Sequence, residues 1–376
     1  MIIIISAITV TLTLFYVAGV FYFRSGWLKV EHFSPERISP KTRVTVLIAA
    51  RNEEDNIDRT IRALIKQNYP KNLLEIIIVD DHSTDHTASI ISGYINQGVR
   101  LLKLSETAIL NSYKKKAISE GVKLATGELL VTTDADCYMS PDWLSTIVSF
   151  YEQFGWKLIS SPVTFFEEKK KFEKLQTVEF LYLIGLGAAS IGNKMPATCN
   201  GANLAYTKQV FTELKGFQGI DDLASGDDEL FMHKVASAYP SSIGFCKSVD
   251  AIVYTHAKSN LPEFIRQRKR WASKSTKYKN KSIVALGVLI WLFNLLIFIN
   301  IIAGIFFPEY LLIALFSLIS KFLVEMLFIN LMLTFIGRTN LVRYVPILTV
   351  IHIVYMIYIG IAGNSGKYIW KGRKVK

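Results

Sequence analysis

Long apolar runs lie at both ends of the chain. The first covers residues 2–23, and three more follow near residues 282–307, 310–336 and 345–361. A helix of about 17 to 25 apolar residues crosses the hydrocarbon core of a bilayer, so each run is long enough to be a membrane span. A cleaved signal peptide is the competing interpretation of the first run. It is disfavoured because no basic residue precedes the run and no small-residue cleavage site follows cleanly.

Between these runs, from Val44 to about Tyr254, short β-branched runs alternate with helical stretches. The β-branched runs predict buried strands at residues 44–48, 75–79, 99–104 and 129–133, and the stretches between them predict helices at residues 56–67, 85–94 and 114–124. This alternation predicts an α/β fold, a Rossmann-type, largely parallel sheet with helices on both faces. Ligands of such sheets bind beyond the carboxyl ends of the strands, where this chain places its polar clusters.

The pattern divides the chain into a central α/β domain and apolar segments on both sides of it. Basic residues follow the first apolar run, so the positive-inside rule places the next domain in the cytoplasm, and we expect an integral protein of the cell inner membrane. Three true crossings near the C-terminus would place the basic tail outside, against the same rule. Either one segment is re-entrant or interfacial, or the tail breaks the rule. The expected parts are a transmembrane helix (1–23), a linker (24–43), a cytoplasmic domain (44–260), a basic interfacial helix (261–281), C-terminal transmembrane segments (282–363) and a basic tail (364–376).

Composition narrows the class of partner. The 376 residues carry a formal net charge of +12, which suits nucleic acid, anionic lipid or phosphorylated substrates. The basic residues crowd the flanks of the apolar runs, so we expect membrane lipids as partners and no nucleic acid. The three cysteines form no Cys-x-x-Cys pair, which disfavours a zinc site or a disulfide framework.

The strongest chemical motif is Asp134-Ala135-Asp136, directly after an apolar strand. Two carboxylates separated by one residue at a strand end can both reach one hard cation, and oxygen ligands suit Mg²⁺ or Mn²⁺. Such an ion would neutralise a departing diphosphate as a Lewis acid. The competing interpretation is a pair of solvated loop carboxylates, to which an Asp-x-Asp motif in isolation more often belongs.

A second acidic cluster ends the second strand. Asp81 can accept hydrogen bonds from a ribose or a base edge, while Ser83 or Thr84 caps the next helix. His82 and His86 have a spacing that could bind a metal, but no third ligand is apparent, so we interpret them as surface histidines.

Two further motifs lie closer to the C-terminus. In Ser225-Gly226-Asp227-Asp228-Glu229, acids precede a helix, where they are often only caps, but one could be the general base for an acceptor hydroxyl. In Gln267-Arg268-Lys269-Arg270-Trp271, the Gln, second Arg and Trp share a helix face. Arg can bind phosphate and Trp can stack on a sugar ring, whereas a membrane-surface helix is the alternative for the same pattern.

With these four clusters in this order, the chain resembles glycosyltransferase family 2, over roughly residues 44–271 and the flanking apolar segments. It resembles most the membrane-bound branch that includes cellulose, hyaluronan and poly-N-acetylglucosamine synthases. The resemblance implies a GT-A-like fold with a nucleotide-sugar donor and inversion at the sugar. It implies donor-binding roles for Ala49, Arg51, Glu53, Asp81, Lys116 and Asp134, metal ligands at Asp134 and Asp136, the catalytic base at Asp228, and acceptor or diphosphate contacts for Gly201, Asn203, Asp227, Gln267, Arg270 and Trp271. His82 stands where the family most often has glycine.

The motifs and the family resemblance together predict an inverting, metal-dependent glycosyltransferase. We expect it to transfer a sugar from a nucleotide-diphosphate donor, a UDP-sugar, to a membrane-presented lipid or glycan. A processive polysaccharide synthase is the alternative within the same class. A dinucleotide-dependent oxidoreductase is disfavoured because no Gly-x-Gly-x-x-Gly follows the first strand. A non-enzymatic transporter or scaffold would leave the ordered carboxylates unexplained.

Overall fold

The computed structural model describes the chain except residues 1, 36–39, 106–111, 224, 275–277, 279, 364–367, 371–372 and 376. The chain forms two compact units. One comprises residues 29–167, 190–256 and 369–376, and we call it the catalytic unit. The other comprises residues 1–28, 168–189 and 257–368, and we call it the helical unit.

The catalytic unit is built on a seven-stranded mixed sheet flanked by helices, which confirms the predicted fold class. Its strand order is β3-β2-β1-β4-β8-β6-β9. The strands are β1 Val44–Ala50, β2 Leu74–Asp80, β3 Val99–Lys103, β4 Leu129–Asp134, β6 Leu158–Ser160, β8 Leu204–Thr207 and β9 Ile243–Phe245. The first four strands are parallel, whereas β8 runs antiparallel to both β4 and β6. The central strands are almost wholly buried, as expected for parallel strands covered on both faces.

Two small sheets and six helices complete this unit. A three-stranded sheet has β5 Tyr138–Met139, β10 Val253–Thr255 and β7 Val163–Phe165, and a two-stranded sheet has β11 Tyr368–Trp370 and β12 Arg373–Val375. The helices are α2 Ile57–Ile65, α3 Thr87–Ser92, α4 Tyr113–Leu124, α5 Trp143–Phe154, α7 Lys208–Glu213 and α8 Glu229–Ala238.

The third helix is shorter than the sequence indicates. It begins at Thr87 rather than at Asp85 because the preceding residues are tied to the loop after β1. Glu54 N–H donates to Asp85 Oδ2 at 3.2 Å, and His86 N–H donates to Glu54 Oε2 at 2.9 Å. Side chains that compete for backbone groups in this way favour loops over helix.

The helical unit contains the apolar runs. Its helices are α1 Ile2–Lys29, α6 Lys171–Gly192, α9 Leu261–Ala272, α10 Lys281–Ala303, α11 Pro308–Phe335 and α12 Val345–Ala362, with a 3-10 segment at Thr339–Tyr344. Within the described residues, five helices are long and apolar enough to cross a membrane: α1, α6, α10, α11 and the segment Thr339–Ala362.

A buried ion pair within this unit has polar neighbours that contribute hydrogen bonds. Lys321 is fully buried and pairs with Glu325, which also accepts from Tyr16 at 2.5 Å and from Thr349 at 3.1 Å. In hydrocarbon an unpaired charge is costly, so these partners make the ion pair compatible with an apolar helix bundle.

Candidate active site

The carboxyl ends of β1, β2 and β4 bring the predicted donor and metal positions to one edge of the sheet. Ala50 lies opposite Asp80, and Ala49 lies opposite both Val79 and Asp134. Asp81 N–H then donates to Ala50 O at 2.8 Å, which keeps Asp81 beside the end of β1. Parallel strands end at the same edge, so residues far apart in sequence become neighbours there.

A tight turn holds the two carboxylates of the Asp-x-Asp motif. The Thr60 hydroxyl lies 2.8 Å from the carbonyl oxygens of Ala135 and Cys137, which fixes the turn between β4 and β5. Burial, together with the carboxylates of Asp136 and Asp134, raises the pKa of the Cys137 thiol, so both carboxylates act on the same buried group. Both acids keep part of their surface exposed, where a ligand can reach them.

This pair of carboxylates suits Mg²⁺ or Mn²⁺ bound together with a substrate diphosphate. Mg²⁺ commonly takes one or two protein carboxylates and completes its coordination with phosphate oxygens and water. No cluster of three or more His, Cys, Asp or Glu side chains that could hold an ion occurs in the described part of the chain. An ion at Asp134 and Asp136 would therefore depend on the donor for its remaining ligands.

Lys114 links the metal motif to the acidic pair before α8. Its ammonium lies 2.8 Å from Asp134 Oδ1 and 3.1 Å from Asp227 Oδ2. Burial lowers its pKa, but the charges of Asp134 and Asp227 raise that pKa by more, so Lys114 is a cation at neutral pH. One lysine thus joins two motifs that are 93 residues apart in sequence (227 − 134).

The sequence analysis assigned the donor-side lysine to Lys116, and the structure points to Lys114 instead. Lys116 Nζ lies 2.7 Å from Glu120 Oε1, one turn along α4. Two residues correspond to a rotation of about 200° about the helix axis, so Lys114 and Lys116 point to nearly opposite sides of α4 and cannot both face the strand ends. We propose the donor-side role for Lys114.

Asp228 lies directly beside this cluster. Gly201 N–H donates to Asp228 Oδ2 at 3.1 Å, and Glu229 N–H donates to Asp228 Oδ1 at 2.7 Å at the start of α8. The carboxylate is thus both a helix cap and a fixed side chain of the site. A Cβ on Gly201 would lie 3.2 Å from Asp227 Oδ2 and 3.5 Å from Lys114 Nζ, so this position is closely packed against the acids. Glu229 itself faces Thr198.

Asn203 does not line the site, contrary to the sequence analysis. Its side chain is fully buried. Its amide nitrogen donates to the carbonyl oxygens of Pro162 and Ala251 at 2.7 Å each, and its oxygen accepts from Trp143 Nε1 at 3.0 Å. A fully buried amide with satisfied groups connects the core rather than binding an acceptor.

The end of this edge at which the sequence predicts donor binding, here called the donor end, is built around Asp81. Arg51 donates to the carbonyl oxygens of Asp81 and His82 at 2.7 Å each, which ties the β1 loop to the β2 loop. His82 is not a plain surface histidine, because its Nδ1 lies 2.9 Å from Asp81 Oδ1. Its φ of 56° lies in the left-handed region, which explains why glycine suits this position in the family. His86 is largely exposed and contacts Glu54.

Glu53 supports this loop from the start of α2. Its backbone N–H donates to Thr87 Oγ1 at 2.8 Å, and its carboxylate accepts from Asn56 at 3.3 Å. Among the positions predicted to bind the donor, Glu53 thus stabilises the loop conformation that carries Arg51.

A residue of the C-terminal tail completes the donor end, and the sequence analysis missed it. Arg373 Nη1 lies 2.9 Å and 2.8 Å from the two carboxylate oxygens of Asp81, and its guanidinium lies 3.8 Å above the Tyr113 ring. The only sequence signal was the basic character of the tail, which matches a membrane flank equally well.

The Gln-x-x-Arg-Trp motif lies on α9 in the helical unit. Within it, Arg268 pairs with Glu179 and donates to Gln267 Oε1 at 2.6 Å. Its guanidinium also lies 4.2 Å from the centre of the Trp271 ring. Arg268 is buried, whereas Gln267, Arg270 and Trp271 keep part of their surface exposed.

Comparisons with known proteins identify the family of the catalytic domain. Residues 45–213 match the family model described as Glycosyl transferase family 2. The probable glycosyltransferase YdaM of Bacillus subtilis is 29% identical over 248 residues, which are 63% of this chain and 56% of that protein. The beta-monoglucosyldiacylglycerol synthase of Trichormus variabilis is 30% identical over 122 residues, 32% of this chain and 26% of that protein. The matches therefore span little more than half of the first relative and about a quarter of the second.

A solved structure shares the fold. The mannosyltransferase PcManGT from Pyrobaculum calidifontis, in complex with GDP-Man and Mn²⁺, has a TM-score of 0.57 at 19% identity, covering 93% of this chain and 99% of that chain. These matches confirm the resemblance and the GT-A-like fold. The chain carries a glycosyltransferase domain of glycosyltransferase family 2.

Proposed function

We propose that this protein transfers a sugar from a nucleoside-diphosphate donor, a UDP-sugar, to a hydroxyl group of an acceptor at the membrane surface. The observation that carries this proposal is the position of Lys114, which joins Asp134 of the Asp-x-Asp turn to Asp227, the neighbour of Asp228. A group that holds the donor diphosphate and a group that can take a proton are thereby brought to one place, as a transfer reaction requires.

The proposed reaction is a single displacement. Asp228 accepts the proton of the acceptor hydroxyl, whose oxygen forms a bond to the anomeric carbon of the donor. The bond between that carbon and the diphosphate breaks, and the diphosphate leaves with the electron pair. One displacement inverts the anomeric centre and needs no carboxylate nucleophile, unlike retaining glycosidases. Mg²⁺ or Mn²⁺ at Asp134 and Asp136 would supply Lewis-acid stabilisation of the departing diphosphate when bound.

The side chains around Asp228 prepare it for this role. Gly201 N–H and Glu229 N–H fix its two oxygens in orientation. Lys114 places a positive charge between the carboxylates of Asp134 and Asp227. A fixed orientation and a preorganised charge reduce the reorganisation that the reaction needs.

Asp228→Asn tests the assignment. Asparagine caps a helix as well as aspartate does, so the fold should persist, but it cannot accept the proton. We expect turnover to fall by roughly a hundredfold to ten-thousandfold, with UDP affinity unchanged. Turnover would be measured on the purified full chain with a panel of UDP-sugars, Mn²⁺ and membrane extract as acceptor source. Asp222→Asn, at an exposed position of the same loop, is the matched control. Near-normal turnover in Asp228→Asn rules out its role as the base.

We propose a membrane-presented lipid as the acceptor. One relative is a beta-monoglucosyldiacylglycerol synthase, and the apolar helices of this chain would keep the domain at a lipid surface. A growing polysaccharide is the alternative. Mass analysis of the product separates one added sugar from a ladder of additions, and a ladder would favour the polysaccharide.

We propose that α10 and α11 cross the membrane and that α6 and α12 do not. Both ends of α6 connect to the catalytic unit, whose strands before and after α6 share one sheet, so a single crossing there would divide that sheet. The chain also leaves the catalytic unit before α9 and returns to it at residue 369. An even number of crossings must therefore lie between these points.

An ion pair supports the proposal that α12 does not cross. Arg338, between α11 and α12, contacts both carboxylate oxygens of Glu168 at 2.8 and 3.0 Å. Glu168 follows Glu167, the last residue of a segment of the catalytic unit, so Arg338 belongs on the same side of the membrane. This pair supports an interfacial or re-entrant α12, one of the two alternatives that the sequence left open for the tail.

Cysteine labelling in sealed vesicles tests this topology. Single cysteines at the exposed positions Asn340 and Glu309 should react with an impermeant maleimide from opposite sides, with Asn340 on the side of the catalytic unit. Labelling of both from the same side would contradict the proposal.

A further inference from the structure

Arg373, near the C-terminus, contacts Asp81 at the donor end of the catalytic unit. Arg373 opens β12 and lies 292 residues from Asp81 along the chain, yet its Nη1 contacts both carboxylate oxygens of Asp81. The side chain of Asp81 is 3% exposed and that of Arg373 is 17% exposed. A buried carboxylate needs a paired charge or several hydrogen bonds, and Arg373 supplies both.

The ring of Tyr113 fixes the plane of this arginine. The guanidinium carbon lies 3.8 Å from the centre of the Tyr113 ring, within the range of a cation–π contact. Tyr113 is the first residue of α4, so the guanidinium is held between a strand end and a helix start. Arg373 is therefore part of a built site rather than a mobile surface charge.

The hydrogen-bond capacity of the Asp81 carboxylate is not fully used by its contacts with the described residues. A carboxylate has about four lone-pair positions, two on each oxygen. Oδ1 contacts Arg373 and His82 Nδ1, whereas Oδ2 contacts only Arg373 among the described residues. One acceptor position on Oδ2 can thus receive an N–H from a base edge while Arg373 stays in place. Arg373 and a nucleotide base can share Asp81, and they need not compete for it.

The surroundings of Asp81 carry further groups suited to a nucleotide. His82 Nε2 is buried and has no hydrogen-bond partner among the described residues. Burial and the charge of Arg373 lower the pKa of Arg51, which shows two guanidinium groups close enough to repel one another. Two guanidinium groups near one another favour a ligand with an acceptor or an anionic group between them.

We propose that Arg373 is a positioning residue of the donor site, which holds the Asp81 carboxylate in the rotation that suits the base of the nucleotide. The C-terminal tail is then a part of the donor pocket and contributes to donor specificity. This inference rests on the proposed function, because it assumes that the donor lies at Asp81. It assigns a role to the tail that its basic composition does not indicate.

Binding of UDP to the full-length protein with Mn²⁺ present, measured by calorimetry, tests this inference. Arg373→Ala should weaken UDP binding about tenfold and raise the donor KM in proportion, while kcat stays within about twofold to threefold, because the arginine acts on Asp81 and not on the proposed base. Arg373→Lys should recover part of the affinity, since lysine keeps the charge but not the planar stacking. Arg100→Ala, which removes a half-exposed arginine paired with Glu75, is the matched control and should change nothing.

A double-mutant cycle with Asp81 separates positioning from general stability. In an Asp81→Asn background, Arg373→Ala should have little further effect on UDP affinity, because its action passes through Asp81. An additive loss would show that Arg373 acts elsewhere and would contradict the inference. Thermal unfolding of each variant checks that the fold persists, and Arg373→Lys carries the test if Arg373→Ala does not fold.

The remaining outcomes are equally decisive. Tighter UDP binding in Arg373→Ala would show that the tail competes with the nucleotide, and unchanged binding would show that it plays no part; either result overturns the inference. If GDP binds the wild-type protein and UDP does not, the same variants are tested with GDP. If the wild-type protein transfers no sugar and binds neither nucleotide, the proposed function fails as well.

Discussion

Two acidic clusters at the carboxyl edge of the sheet differ in their charge balance. The first contains Asp134, Asp136, Asp227 and Asp228, with Lys114 as the cation that contacts two of them. The second contains Asp80 and Asp81, with Arg51 and Arg373 close by. Formal charges sum to about −3 in the first cluster and about zero in the second at neutral pH. Acidic and basic side chains are thus present in different proportions in the two clusters.

The difference indicates what each cluster can bind. Excess carboxylates repel one another unless a cation joins them, so the first cluster favours a divalent ion. The second cluster has no net charge and needs no added cation. Its remaining acceptor position, on Asp81, can accept a hydrogen bond from a neutral base. The first two residues of α4 serve both, because Tyr113 stacks on Arg373 and Lys114 pairs with Asp134. One helix start therefore contacts both clusters, which we propose bind the two ends of the donor.

Replacing Asp136 with asparagine should produce the larger effect on metal dependence. It removes one of two carboxylate ligands, and a catalytic ion contributes several kcal/mol to stabilising the leaving group. We expect turnover to fall by about a hundredfold or more, and half-maximal activation to need about a hundredfold more Mn²⁺. Activity measured across a range of Mn²⁺ concentrations would show both changes.

The matched change in the second cluster sharpens this comparison. Asp81→Asn should raise the donor KM and leave the Mn²⁺ concentration for half-maximal activation unchanged, since Asp81 lies in the balanced cluster. If Asp81→Asn shifts the metal dependence as strongly as Asp136→Asn does, the two clusters do not have separate roles.

Local patterns in the sequence predicted the parallel half of the sheet, and long-range pairing decided the rest. Strands β1 to β4 carry continuous apolar runs, so their positions were correct to within two residues. Strands β6 and β9 have only three residues each, too few for a periodic signal, and they depend on pairing with distant segments. A short strand is stabilised by the strands beside it, and a local sequence pattern does not show which strands these are.

The candidate site shows the same limit at the level of single residues. Asp134, Asp136 and Asp228 stand in motifs with a recognisable order. Arg373 has no motif and is identified only by its contact with Asp81. Asn203 stands in a motif, yet its side-chain amide is occupied by hydrogen bonds within the core. A side chain's role depends on its partners, and those partners lie up to 292 residues away.

Lys114→Met provides a smaller and more specific test of the first cluster. The Lys114 ammonium contacts Asp134 Oδ1, so it competes with a metal ion for the same carboxylate. Its removal should lower the dissociation constant for Mn²⁺ about tenfold, because a nearby positive charge no longer opposes the ion. Mn²⁺ binding would be followed by calorimetry or by electron paramagnetic resonance, without any substrate.

Lys116→Met is the control that separates the two lysines of α4. It removes the same charge two residues away, where the ammonium pairs with Glu120, and should leave Mn²⁺ binding unchanged. If Lys116→Met alone alters Mn²⁺ or donor binding, the original assignment of the donor-side lysine is correct and the transfer of that role to Lys114 is wrong. If Lys114→Met weakens Mn²⁺ binding, the lysine supports the ion's site by holding Asp134 in place, and the excess negative charge of the first cluster is not what attracts the metal.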